Sequence, residues 1–96
     1  MAAKILIADD HPIFRARLRQ IVETGGAFQV VAEAADADTA IAFLRSKAPA
    51  ALALDLDMPG GGGLAVARAV REMLPAATVV FLAMHNVETL FNEANP

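Results

Sequence analysis

Cysteine is absent from this 96-residue chain, which removes disulfides, thiolate nucleophiles and Cys-type zinc sites. Basic residues are also sparse, with 8 Lys and Arg against 11 Asp and Glu and a net charge of −3. That balance gives no electrostatic footprint for nucleic acid, so direct nucleic-acid contact from this segment is not expected. No run of roughly 18 uninterrupted apolar residues occurs, so no membrane span is expected. The stretch before the first acidic pair is too short for a signal peptide. A soluble cytoplasmic domain follows from these absences as the expectation. Abundance lies in apolar residues, 56% of the chain, which suits a sheet covered on both faces with strands that read as continuous apolar runs. The length fits one domain near the small end of the range that folds alone.

The chain alternates between two patterns. Ile5 to Ala8 reads as a first strand. Pro12 follows where a first-turn proline is tolerated, with Phe14, Leu18, Ile21 and Val22 at helical spacing until Gly25 and Gly26 stop the helix. Phe28 to Ala32 reads as a second strand. Asp36 or Asp38 can cap a second helix with Ile41, Phe43 and Leu44 on its apolar face, closed by Pro49. Ala51 to Leu56 is the third strand and Asp57 to Gly63 a loop. A third helix runs from Leu64 to Leu74, with Val66, Val70 and Leu74 in line. Thr78 to Ala83 is a fourth strand, and Asn86 to Asn95 is weakly helical. Strand–helix alternation of this kind predicts an α/β doubly wound parallel sheet with right-handed crossovers. Phe14, Phe28, Phe43 and Phe81 are expected in its core.

Asp9 and Asp10 end the first apolar run and Asp55 ends the third. In a parallel sheet the carboxyl ends of neighbouring strands open into one crevice, so three carboxylates from two segments would share a site. Like charges that close stay ionised together only with a cation between them, and Mg²⁺ prefers such oxygen ligands. A carboxylate at Asp55 could then act as nucleophile toward a phosphoryl group. Taken singly, Asp9 or Asp10 reads as a helix cap and Asp55 as a turn residue; their company favours the metal site. His11 is read as a solvated helix start, with metal ligation or phosphoryl transfer as its alternatives. His85 is likewise read as a solvated loop residue, and Met84 as a loop residue able to face a partner. Gly60 to Gly63 lacks the pattern of a phosphate-binding loop, and turn flexibility is the expectation there.

The segments ILIADDHPIFR, VVAEAADADTAI, LDLDMPGGGGL and VVFLAMH resemble the receiver domain of two-component response regulators. The resemblance is to the subfamily whose receivers precede a helix-turn-helix output domain. It implies a flavodoxin-like fold with strand order 2-1-3-4 and a phosphoryl group accepted on Asp55 from a sensor histidine kinase. It also implies Mg²⁺ held by Asp9, Asp10, Asp55 and the backbone carbonyl of Asp57, and control of transcription. Met58 and Pro59 would shape the loop, and Gly63 matches the glycine before the family's third helix.

Two departures accompany the match. Where family members carry Thr or Ser at the end of the fourth strand, this chain has Ala83. Losing a hydrogen bond to a charged group is worth roughly 1.5–3 kcal/mol, so phosphorylation without the usual switch is one expectation. The family's fifth strand, with its lysine, and its fifth helix are not represented. Lys4 and Lys47 are the only lysines, and neither ends a fourth or fifth strand. Residues 1–96 are therefore expected to form a single, incomplete receiver domain with the fourth strand as an exposed apolar edge, suited to an edge-paired or swapped homodimer. Two alternatives stay open: a degenerate receiver serving as an interaction module, and a Mg²⁺ phosphohydrolase with Asp55 as nucleophile and Asp57 as general acid.

Overall fold

A computed structural model describes residues 2–82. Seven elements follow in order: β1 (Ala3–Ala8), α1 (Pro12–Thr24), β2 (Phe28–Ala34), α2 (Ala37–Lys47), β3 (Ala51–Asp55), α3 (Gly62–Met73) and β4 (Thr78–Leu82). The four strands form one parallel sheet in the order β2-β1-β3-β4. The chain thus winds outward from β1 to β2, then crosses to the other side of β1 to lay down β3 and β4. The reversal falls between β1 and β3, and their carboxyl ends flank the crevice where such sheets bind ligands.

Strand alternation splits the core in two. Ile5, Ile7, Val30, Ala51 and Ala53 point to one face and meet Leu18 and Val22 of α1. Leu6, Ala8, Ala32, Leu52 and Leu54 point to the other, where Ala40 and Leu44 of α2 and Val66 and Val70 of α3 cover them. Burying both faces of β1 and β3 requires unbroken apolar runs, as the sequence has. A register shift between Ile5 and Leu6 leaves Val31 without a partner in β1.

Local signals set the helix ends. Pro12 opens α1 at its first position, after His11 as N-cap. Of the two candidate caps for α2, Asp36 is the one used: its carboxylate accepts from the Thr39 N–H at 2.7 Å. That helix ends on Ala48, a non-glycine residue in the left-handed region with φ 43°.

Several expectations need correction. Helix α3 starts at Gly62 rather than Leu64 and ends at Met73, and β3 stops at Asp55. The face of α2 against the sheet is made by Ala37, Ala40 and Leu44, with Ile41 and Phe43 only half-buried. Ile21 is 67% exposed, because α1 turns Leu18 and Val22 inward instead. Phe28 and Phe81 are not core either: Phe28 begins the outer strand β2, and Phe81 lies on the outer strand β4, 43% exposed. Phe14 and Phe43 are half-buried. Among the described residues no strand pairs with the far side of β4, where Val80 is exposed too. Ala83, Met84, His85 and the helix expected over Asn86 to Asn95 lie outside the described residues.

Candidate functional site

The first strand delivers Asp9 to the crevice. Its N–H still donates to the Ala34 carbonyl at 2.9 Å, so the backbone leaves the sheet only after this residue. The side chain is fully buried. Its Oδ1 accepts from the His11 backbone N–H at 2.7 Å and lies 2.9 Å from the His11 ring Nδ1. Its Oδ2 has no hydrogen-bond partner.

Asp55, the last residue of β3, arrives from the other side of the switch point and is 1% exposed. Its Oδ1 accepts from the Asp57 N–H at 3.0 Å, while Oδ2 has no hydrogen-bond partner. Asp10 approaches on the turn after β1, with its Oδ1 3.0 Å from His11 Nδ1; the same nitrogen is 3.7 Å from Asp55 Oδ2. One ligand atom from each of Asp9, Asp10, His11 and Asp55 lies within 4.8 Å of every other. The three aspartates singled out from sequence are thus brought together. Asp57 lies outside that group and touches it through its backbone N–H. His11, expected in solvent, has its ring among the carboxylates.

Burial raises the Asp55 pKa, and the charges of Asp9 and Asp10 push it further up against the opposing Asp57 N–H and His11. The His11 pKa is raised first by its hydrogen bond to Asp9, then by the charges of Asp10, Asp9 and Asp55, against some desolvation. Two buried carboxylate oxygens without partners, beside a third acidic side chain, fit a small cation with oxygen ligands.

The loop after β3 turns on Gly60, Gly61 and Gly62, all at positive φ, and is pinned to the core at two points. Met58 is buried in the core beneath α2 and α3, and the Pro59 carbonyl accepts from Ala37 N–H at 2.9 Å. At Gly62, φ is 71°, and a Cβ would stand 2.3 Å from the Leu56 carbonyl oxygen. At Gly63 a Cβ would stand 2.6 Å from the Asp55 carbonyl oxygen. Only glycine lets α3 start this close to the carboxyl end of β3, and that closeness holds Asp55 in place.

One supporting residue escaped the sequence reading. Arg15 donates through Nη1 to the Asp9 carbonyl at 2.7 Å and through Nε to Glu33 at 3.2 Å. Arg19 joins the same Glu33 at 2.7 Å. These bonds tie α1 to β2 and clamp the backbone of the acidic turn. Glu33, the one charged residue of β2, was the available signal.

Residues 5–95 match the response regulator receiver domain family. The chain belongs to that family. It is similar to the probable transcriptional regulatory protein NarL of Mycobacterium tuberculosis, 31% identical over 91 residues, covering 95% of this chain and 42% of that protein. Its structure is similar to that of a LuxR-family two-component response regulator from an Aurantimonas species, with a TM-score of 0.82 and 36% identity over 98% of this chain and 67% of the other. A structure of two RcsB dimers bound to two parallel DNAs aligns with a TM-score of 0.80 and 28% identity, over 98% of this chain and 48% of that one. The receiver thus spans about two-fifths of the length of the curated relative.

Family membership places the sheet order β2-β1-β3-β4 within the flavodoxin-like receiver fold. It also decides against the phosphohydrolase alternative. That reading gave Asp9 and Asp10 no role, yet they share the Asp55 cluster, and Asp57, its general acid, lies outside. No described helix is long and apolar enough to cross a membrane.

Proposed function

We propose that this receiver accepts a phosphoryl group on Asp55 from a phosphohistidine of a sensor histidine kinase. The observation that carries the reading is the pair of buried carboxylates, Asp9 and Asp55, each with an unpartnered oxygen, on either side of the switch point. A carboxylate oxygen of Asp55 attacks phosphorus, the P–N bond breaks, and its electron pair stays on the departing imidazole. Asp9, Asp10 and Asp55, with the backbone carbonyl of Asp57, would hold Mg²⁺. When bound, that ion supplies charge neutralisation between the incoming phosphoryl oxygens and the acidic cluster. The Asp57 N–H, donating to Asp55 Oδ1, fixes the carboxylate plane.

On this reading the domain is regulatory and catalyses at most its own phosphotransfer and dephosphorylation. The DNA-bound dimers of RcsB and the transcriptional role named for NarL support a dimerising receiver that controls a DNA-binding output in the cytoplasm. DNA contact belongs to that output and not to residues 1–96, which form one receiver domain. The exposed apolar β4 supports pairing between two copies along that edge or by exchange.

Ala83 favours a second reading, in which the domain is phosphorylated or recruited as an interaction module without a conformational switch. Intact mass after incubation with Mg²⁺ and a small-molecule phosphodonor tests the first claim. One phosphoryl adduct is expected on the parent and none on Asp55→Asn; no adduct on a folded, metal-binding parent overturns it. A beryllofluoride mimic separates the readings, since a monomer-to-dimer shift excludes the module without a switch.

A further inference from the structure

We propose that the ring N–H of His11 is a placeholder for the metal: it holds the three aspartates together in the metal-free pocket and swings out as Mg²⁺ enters. The inference rests on the reading of the acidic cluster as a Mg²⁺ site and adds the residue that gates it. One ring nitrogen, Nδ1, stands 2.9 Å from Asp9 Oδ1, 3.0 Å from Asp10 Oδ1 and 3.7 Å from Asp55 Oδ2. Ionised carboxylates only accept, so the nitrogen that faces all three carries a proton and donates. Among the described residues no lysine or arginine side chain pairs with these carboxylates; the ion pairs of Arg15 and Arg19 go to Glu33 and Glu23 instead. The His11 ring is thus the group that offsets their mutual repulsion.

Donation and metal ligation compete for the same oxygens. Asp9 Oδ1 already accepts from the His11 backbone N–H at 2.7 Å, so the ring takes its second lone pair. The N–H also turns its positive end into the pocket, against an incoming cation. As a substitute for the ion the ring is incomplete. Asp9 Oδ2 and Asp55 Oδ2 keep no hydrogen-bond partner, and leaving buried acceptors unsatisfied is costly. An ion that draws on several oxygens at once removes that deficit, and the ring yields to it. The side chain has a way out: it is 37% exposed and does not cap α1. Rotation about χ1 carries the ring into solvent, while Pro12 and the bond from the His11 N–H to Asp9 keep the backbone in place. The same movement opens the approach to Asp55 Oδ2. Metal entry and access to the nucleophile are then one event, with His11 as a positioning residue.

The test is Mg²⁺ titration of the full chain by calorimetry, beside His11→Ala and Arg17→Ala, together with NMR of the His11 ring. Arg17 is an exposed cation farther along α1 and controls for a general effect of charge. We expect His11→Ala to bind Mg²⁺ roughly tenfold more tightly than the parent, or about 1.4 kcal/mol, the scale of one hydrogen bond to a charged group. Arg17→Ala should leave the affinity unchanged. In the parent, nuclear Overhauser contacts between the His11 ring and the Asp10 methylene should be present in EDTA and lost at saturating Mg²⁺. Unchanged or weaker binding by a folded His11→Ala, an equal gain in both variants, or ring contacts that persist in saturating Mg²⁺ would overturn the placeholder while leaving the acidic metal site standing. No Mg²⁺ binding by either the folded parent or His11→Ala would overturn the metal site and this inference together.

Discussion

Replacing Asp55 by asparagine should make the metal-free domain more stable, although it removes the proposed phosphoryl acceptor. Asp55 and Asp9 are both buried, each with an oxygen that no donor satisfies, and their ligand atoms lie within 4.8 Å. At an effective dielectric of about 20, two unit charges at that separation repel by about 3.5 kcal/mol. His11 offsets part of this, and the isosteric amide keeps the Oδ1 acceptor for the Asp57 N–H. A net gain of about 1–3 kcal/mol follows, or a rise in Tm of at least about 4 °C for a domain of this size. The pH dependence carries the same signature. The native Asp55 pKa is raised from 3.8, chiefly by burial. Acidification through that raised value protonates the native carboxyl while the unfolded one is still charged, so the metal-free parent gains stability until the pH falls below 3.8. The asparagine variant lacks this gain. Urea unfolding in EDTA at several pH values between neutral and acidic reads both effects. Saturating Mg²⁺ should reverse the order, since the ion stabilises only a chain that binds it. An asparagine variant less stable than the parent in EDTA, or one with the parent's pH profile, would refute the electrostatic reasoning.

Four further outcomes are expected. Gly63→Ala places a Cβ 2.6 Å from the Asp55 carbonyl oxygen and should cost about 1–3 kcal/mol in urea unfolding, whereas Gly25→Ala, with open space and φ −72°, should be neutral or slightly stabilising. Ala48→Gly relieves a left-handed φ of 43° and should raise stability by about 0.5–1 kcal/mol after the added chain entropy, measurable as a Tm increase. Arg15→Met removes the bond to the Asp9 carbonyl and the tie to Glu33, costing about 1–3 kcal/mol; calorimetry should show weaker metal binding as the acidic turn loosens. His11 contributes stability fully present below its ordinary value of 6.5 and lost as pH rises through its raised native value, so His11→Asn should flatten metal-free stability in the interval from 6.5 up to that raised value.

The order of elements was legible because both faces of β1 and β3 are buried, and such strands leave unbroken apolar runs such as ILIA and ALAL. The acidic site was legible for a related reason: Asp9, Asp10 and Asp55 stand where those runs stop. Other parts depend on what lies across space. Ile21 and Leu18 look equivalent by helical spacing, yet α1 meets the sheet through Leu18 and Val22, and nothing in its own sequence fixes that rotation. Phe28 and Phe81 are as apolar as any core residue and lie on the two outer strands, whose neighbours decide their burial. The start of α3 was set too late because helix propensity argues against glycine, while the close approach of Gly63 to the Asp55 carbonyl requires it. His11 was placed in solvent because a histidine at a helix start usually is. Here its neighbours in sequence, Asp9 and Asp10, and the distant Asp55 converge on one ring nitrogen.

The central claim is that the phosphoryl group resides on Asp55 as an acyl phosphate. Borohydride reduction of the phosphorylated chain, followed by peptide mapping, tests it directly, because reduction converts an aspartyl phosphate to homoserine and leaves phosphohistidine untouched. Homoserine at position 55 alone is the expected result. Its absence from a chain that carries a phosphoryl adduct, or its appearance at position 9, 10 or 57, would contradict the account.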